Sequence, residues 1–203
     1  MADQAALALV SRSAFLELRE EERLVRTGYQ LLDEKRVQLA TEILQQRRAY
    51  RAARQTFTER CEEAAAALLE AAAAKGINGL QVHPAAIFDA TLSVESRPFV
   101  GLSLISAELD TGSDTDADPE RAADGVVRAC IDAFRAVMAA GVPLAALVAN
   151  LERLMSEYQR TERRVRALEN VILPEIRSDI SMMQEQLDLN DQEEVIRVHT
   201  LRR

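Results

Sequence analysis

The sequence predicts a mainly α fold: a long antiparallel two-helix coiled coil formed by the N- and C-terminal helices, with a small middle region containing a β-hairpin and a short helix. Three observations predict it. Near both ends of the chain, apolar residues recur at alternating steps of four and three, the spacing of a coiled-coil seam. Between Gly76 and Asp118 that period gives way to strict alternation, the period of a strand. The composition is rich in Ala, Leu, Glu, Arg and Gln, with 4% aromatic residues and no tryptophan, which suits long helices better than a compact mixed core. The expected division is residues 1–75 for the N-terminal helix, 76–118 for the middle region, and 119–203 for a short helix followed by the long C-terminal one.

The first helix is expected from Ser13 to Ala74. Its seam reads Val25, Tyr29, Leu32, Arg36, Leu39, Ile43, Gln46, Tyr50, Ala53 and Phe57. Arg36 and Gln46 are polar exceptions, which cost stability in a seam but fix its alignment with the partner helix. The alanines at 64–67 and 71–74 continue the helix with high propensity. Lys75-Gly76 then supplies a basic last turn and a C-terminal glycine, a stop signal.

In the middle region Ala90, Leu92 and Val94 alternate with Asp89, Thr91, Ser93 and Glu95. Ser96-Arg97-Pro98 reads as a turn, and Val100, Leu102 and Leu104 as the returning strand. The apolar phase then switches to Ile105, Ala107 and Leu109, which predicts a β-bulge. Glu108 to Asp118, acidic and rich in small polar residues, is expected to be a solvated loop.

Asp118-Pro119-Glu120 combines an N-cap, a proline at the first helical position and an acidic first turn. The helix it opens is expected to reach Ala140, with a break or bend at Gly141-Val142-Pro143 and a long helix from there to Arg197, roughly 80 Å at 1.5 Å per residue. Its seam runs Leu147, Leu151, Leu154, Tyr158, Thr161, Val165, Leu168 and Ile172, with Thr161 as its polar slot. Steps of four and four then lead to Ile176 and Ile180, before Met183 and Leu187. That is a stutter, which relaxes the left-handed supercoil. Pro174 lies in it and removes a backbone donor, so a softened or kinked point is expected there. Two long helices with complementary seams, joined through a small insert, zip most readily as an antiparallel hairpin within one chain, each tethered to its partner at high effective concentration.

Composition excludes several functions. A net charge of −8 argues against general nucleic-acid binding. Cys61 and Cys130 have no CxxC spacing, as expected of thiols in a reducing compartment. The first ten residues carry Asp3 and no basic stretch, so no secretory signal is expected. The longest uncharged run, Ala136 to Leu151, is short for a membrane span and contains Gly141 and Pro143. There is no GxxxxGK[ST] phosphate cradle, and neither His83 nor His199 has a helix-spaced second metal ligand. No catalytic, cofactor-binding or metal residue is assigned. The runs Glu20-Glu21-Glu22 and Asp114 to Asp118 read as solvated charge.

The terminal helices carry further signals: Ser11-Arg12, Arg23-Leu24, Gly28, Leu31-Leu32, Lys35-Arg36 and Leu39 at one end; Thr161, Arg163-Arg164-Val165, Ala167-Leu168-Glu169, Val171-Ile172, Pro174 and Ile176-Arg177 at the other. On these residues the chain resembles the D subunit of the V-type and A-type rotary ATPases, the central-stalk shaft, over about two-thirds of its length. It departs from that family at Val10, where a proline is usual, in a short C-terminal tail, and in a middle region without a clear match. The resemblance implies a non-catalytic rotor component of a proton- or sodium-translocating ATPase or ATP synthase, without a cofactor. The implied partners are the A and B subunits of the catalytic hexamer, the F subunit, and the stalk-base protein that joins the membrane rotor ring. The implied location is cytoplasmic and peripheral to the membrane, with no span of its own and no nucleic-acid partner. The residues it implies for the shaft are Arg12, Gly28, Lys35, Arg36, Arg163, Arg164, Leu168, Glu169 and Pro174. Exposed charges at Arg47, Arg48, Arg51, Arg54, Arg160, Glu162 and Arg166 are further candidates for contact with the ring. Two other readings of the residues are a non-rotary coiled-coil scaffold and a lipid-surface helix, the latter disfavoured by mixed-sign polar faces and net acidity.

Overall fold

A computed structural model describes residues 11–81, 90–111 and 125–201. The expected helix start at Asp118-Pro119-Glu120, the acidic stretch 112–118 and His83 lie outside them. Helix α1 spans Arg12–Gln81, strands β1 and β2 span Thr91–Phe99 and Leu102–Asp110, and helix α2 spans Gly125–Ala167. A π-helical turn, Leu168–Ile172, joins α2 to α3, Leu173–Leu201. The fold is therefore two long helices packed against each other, with a two-stranded antiparallel hairpin between them in sequence.

Helix α1 starts where the sequence supplies a cap. Ser11 Oγ accepts from Ala14 N–H at 3.1 Å, and the Ser11 carbonyl accepts from Phe15 N–H at 3.1 Å. Gly76 does break the helix, at φ 72 and ψ 159, a backbone region open essentially to glycine alone. Helical residues resume beyond it as far as Gln81, so Gly76 marks a kink and not the end.

Contacts divide the chain into two compact units, Met1–Gln38 with Tyr158–Arg203, and Leu39–Glu157. In the first, α1 and the C-terminal helix run antiparallel. Arg12 meets Asp191, Glu22 meets Arg177, and Arg36 meets Glu162, so partners descend one helix as they climb the other. Between the helices lie Thr161, Val165, Leu173 and Ile176, all buried. Val25, Tyr29, Leu32, Leu168, Ile172, Ile180, Met183 and Leu187 flank them half-buried, as the seams predict.

In the second unit α1 and α2 carry the hairpin. Leu39, Ala64, Ala71, Leu104, Val127, Ala146 and Leu154 form its buried core. Small residues let the helices approach: a Cβ on Gly141 would sit 3.3 Å from the Phe57 ring. That contact bears on a correction. The break expected at Gly141-Val142-Pro143 is absent, and α2 is continuous through Pro143. Packing of this turn against α1 outweighs one missing backbone donor, an instance of tertiary context overriding a local breaker.

The hairpin corrects two further expectations. Ser96-Arg97-Pro98 is not the turn; it lies inside β1, where a proline on an edge strand costs no ladder bond. The chain reverses at Val100 and Gly101, whose positive φ values of 48 and 83 suit a two-residue hairpin turn. Nor is there a bulge: the register runs unbroken from Thr91↔Asp110 to Phe99↔Leu102, so Glu108, Leu109 and Asp110 belong to β2 and not to a loop.

The switch of apolar phase has another cause. Strand β2 docks edge-on against α2, so residues on both of its faces approach the helix. Asn150, 3% exposed, accepts from Ile105 N–H at 2.9 Å and donates to Ile105 C=O at 2.7 Å, standing in for a third strand. Arg153 donates to the Ser103 carbonyl at 3.1 Å on the same edge. On the other strand, Arg97 reaches the buried Glu42 at 3.1 Å.

Replacing Asn150 by alanine leaves the Ile105 amide and carbonyl without those partners, which should cost about 1–3 kcal/mol in urea unfolding. An unchanged midpoint would mean that the hairpin does not depend on this amide.

Candidate functional site

The nine shaft residues singled out in the sequence fall in the unit that pairs the two chain ends, whereas Arg47, Arg48, Arg51 and Arg54 fall in the other. The centre of the first unit is a polar crossing built into the apolar seam. Arg36 lies 2.6 Å from Asp33 one turn earlier and donates across the helix pair to Glu162 at 3.4 Å. Glu162 also accepts from Arg166 Nε at 2.9 Å. Burial acts to lower the Arg36 pKa, but the charges of Asp33 and Glu162 and the Glu162 hydrogen bond outweigh it, and the net shift is upward. The guanidinium is therefore charged at any physiological pH, so the crossing works as a fixed electrostatic register mark. Its half-exposed geometry makes it a specificity element more than a source of stability.

Towards the chain ends, Arg12 Nη2 donates to both carboxylate oxygens of Asp191, at 2.9 and 2.8 Å, and Arg177 donates to Glu22 at 3.2 Å. The first pair is largely solvated and the second partly so, and each contributes little net energy. Arg163, Arg164 and Glu169 are exposed, and no carboxylate among the described residues lies within ion-pair distance of either arginine. Lys35 and Leu168 are half-buried. Gly28 sits in mid-helix with nothing within 4 Å of where a Cβ would stand, so packing within the chain gives no reason for a glycine there.

Pro174 explains the π-turn. In a straight α-helix its ring would crowd the Asn170 carbonyl and leave it without a donor. Here the preceding turn widens, with Leu173 N–H bonding back five residues to the Leu168 carbonyl. One extra residue is thereby taken up, a π-bulge. The irregularity expected at Pro174 lies in the turn before it, and it rotates Leu173 into the interior at 7% exposure. The heptad count missed Leu173, although the adjacent apolar pair Ile172-Leu173 before a proline was a usable signal.

Other residues had no such signal. Asn150 and Glu42 are buried and hold the hairpin, yet a lone polar residue beside a seam looks solvated in sequence. Gln46 donates to Glu42 at 2.9 Å and leaves its own buried carbonyl oxygen unpaired. Burial pushes the Cys130 thiol up, which keeps it neutral at pH 7. The continuous helix Gly125–Leu201 contains an 18-residue window of mean hydropathy 1.7, long and apolar enough by composition to cross a membrane, which the count of uncharged residues alone had not suggested. Core helices share that property, though only 6% of the window is buried within this chain.

The family model for the D subunit of ATP synthase matches residues 14–203. The chain belongs to this family. Among its relatives is the V-type ATP synthase D subunit of Thermus thermophilus, 29% identical, with 95% of this chain and 86% of the relative aligned. The A-type ATP synthase D subunit of Methanopyrus kandleri is 28% identical over 93% of this chain and 82% of its own length. That of Thermoplasma volcanium is 24% identical over 95% and 93%. The match covers the whole middle region, where the sequence alone had offered no resemblance to the family.

Two variants test the site's geometry in urea unfolding. Val165→Asp places a carboxylate at a fully buried seam position and should cost several kcal/mol, on the order of 3–5. Gly28→Ala meets open space and should raise stability by about 0.5–1 kcal/mol. A loss from Gly28→Ala would show that the chain itself needs the glycine.

Proposed function

We propose that this chain is the central-stalk shaft of a V/A-type rotary ATPase or ATP synthase, a non-catalytic component that carries torque between the catalytic A/B hexamer and the membrane rotor. The observation that carries this reading is the family match over 14–203, which includes both of the helices that pair antiparallel at the chain ends. The reaction it serves couples ATP turnover to the movement of protons or sodium ions. Its partners are the A and B subunits, the F subunit and the stalk-base protein, and it sits peripherally on the cytoplasmic side.

The mechanism is linkage. One asymmetric helix pair inside a ring of three catalytic interfaces touches each of them differently, which makes their nucleotide affinities unequal. Reciprocally, binding or release of nucleotide biases the angle of the pair. The seam residues Leu168, Val165 and Ile176 hold the two helices together against torsion. The exposed cations Arg163 and Arg164, with Glu169, meet the ring. Arg12 ties the ends through Asp191, the Arg36 crossing with Lys35 beside it sets register, and the π-turn before Pro174 gives the shaft one compliant point. Gly28 leaves a low spot on the surface for close approach by the ring.

A ring of A and B subunits reconstituted without this chain should lose sustained ATP turnover, and adding the chain should restore it. The isolated chain should hydrolyse no ATP. Removing residues from Val195 onward, whose apolar side chains are half or more exposed at Val195 and Ile196, should change unfolding free energy by less than about 1 kcal/mol yet weaken coupling. Failure of the chain to associate with any A/B ring of its own cell would leave a plain coiled-coil scaffold.

A further inference from the structure

Within the second unit, a groove of about 740 Å³ runs between α1 and α2, lined by Ile43, Tyr50, Leu151 and Met155 along its floor and by Arg47, Arg51 and Arg54 along one wall. The lining residues on α1 extend from Ile43 to Thr58, four turns or roughly 22 Å of helix. The floor is apolar and open: Met155 is 44% exposed. The charge on the wall is out of keeping with the chain. Residues 43–58 hold four arginines and no acid, in a protein of net charge −8. No carboxylate among the described residues pairs with Arg47, Arg48, Arg51 or Arg54. Four other arginines of α1, Arg12, Arg23, Arg36 and Arg60, each face a carboxylate, and Arg19 lies over the Phe15 ring.

We propose that this groove is the seat of an acidic amphipathic helix from another protein. A third helix laid along two antiparallel ones buries an apolar stripe on the floor while its flanking carboxylates reach the arginine wall. The combination selects against other anions. A nucleic-acid backbone would satisfy the arginines and leave the floor wet, and a flat bilayer surface would not enter the cleft. A second copy seated by symmetry would bring four more arginines against the first four. The inference rests on the reading that this chain works within an assembly of subunits, and adds to it a fixed docking place with a defined chemistry. A seated helix also differs in kind from a ring that slides past, because an apolar floor holds one position.

Two experiments decide it. The first uses the purified full chain and a labelled helical peptide of about sixteen residues, with leucines on one face and glutamates on its flanks. The chain should bind it, and should bind the same peptide with lysines for glutamates at least about tenfold more weakly. The triple reversal Arg47→Glu, Arg51→Glu, Arg54→Glu, checked for retained helicity, should invert that preference, whereas Arg163→Glu with Arg164→Glu should not. Equal binding of the two peptides, or a preference untouched by the triple reversal, overturns the proposal. The second experiment places a photo-crosslinking amino acid at Met155 in the complex purified from its own cells. The product expected is a single protein segment with Asp or Glu at helical spacing. A basic segment, lipid, nucleic acid, a second copy, or no product from a chain shown to be incorporated overturns it. Should the chain not enter a catalytic ring at all, the rotor reading falls, while the peptide measurement still decides the groove.

Discussion

The antiparallel register of the two chain ends is the constraint on which the terminal unit depends. Apolar seams alone do not set it, because leucine, isoleucine and valine tolerate a shift of one heptad with little loss of burial. The polar interruptions do. Arg36 finds Glu162 only in the observed alignment, Thr161 occupies a buried slot in the seam, and Arg12 meets Asp191 near the far end. Slipping the helices by a heptad would part Arg36 from Glu162, Glu22 from Arg177 and Arg12 from Asp191 together. Register is thus held by groups that add little to stability, and stability comes from a seam that is nearly indifferent to register.

What was legible in the sequence follows from this division. Periodicity survives translation into structure because it records which face is buried, so the seams from Val25 to Phe57 and from Leu147 to Leu187 were readable, and so was the presence of a hairpin. Signals of breakage were less dependable. Gly76 does interrupt its helix, because a positive φ is a property of the residue itself. Pro143 does not, because the contact of α2 with Phe57 holds the turn. Pro174 acts one turn upstream, by widening the backbone before it. The hairpin's turn was misplaced because Ser-Arg-Pro resembles a turn more than Val100-Gly101 does, although Gly101 was the better guide to a positive φ.

The candidate site was legible as a set of residues but not as an arrangement. Arg36 was visible as an oddity in the seam, and its partners Asp33 and Glu162 were not, since nothing in a linear chain marks which carboxylate of many will face it. Asn150 and Glu42, which hold the hairpin, gave no periodic signal at all. Arg47, Arg51 and Arg54 read as exposed charge, candidates for contact with the ring, with no sign of an apolar neighbour. Only the structure sets them beside the open apolar floor of Ile43, Leu151 and Met155. Tertiary juxtaposition of polar groups is the part of a fold that a sequence conceals most completely, and it is also the part that chooses partners.

The reading of this chain as a shaft is tested most directly by watching it move. A single cysteine at exposed Arg128, in a chain whose Cys61 and Cys130 are replaced by serine, would carry a bead or rod while the A/B ring is fixed to a surface. With ATP supplied, the account predicts unidirectional, stepwise rotation of the label, with three pauses per turn matching the three catalytic interfaces. A label that stays fixed relative to the ring while the same complexes hydrolyse ATP would contradict it.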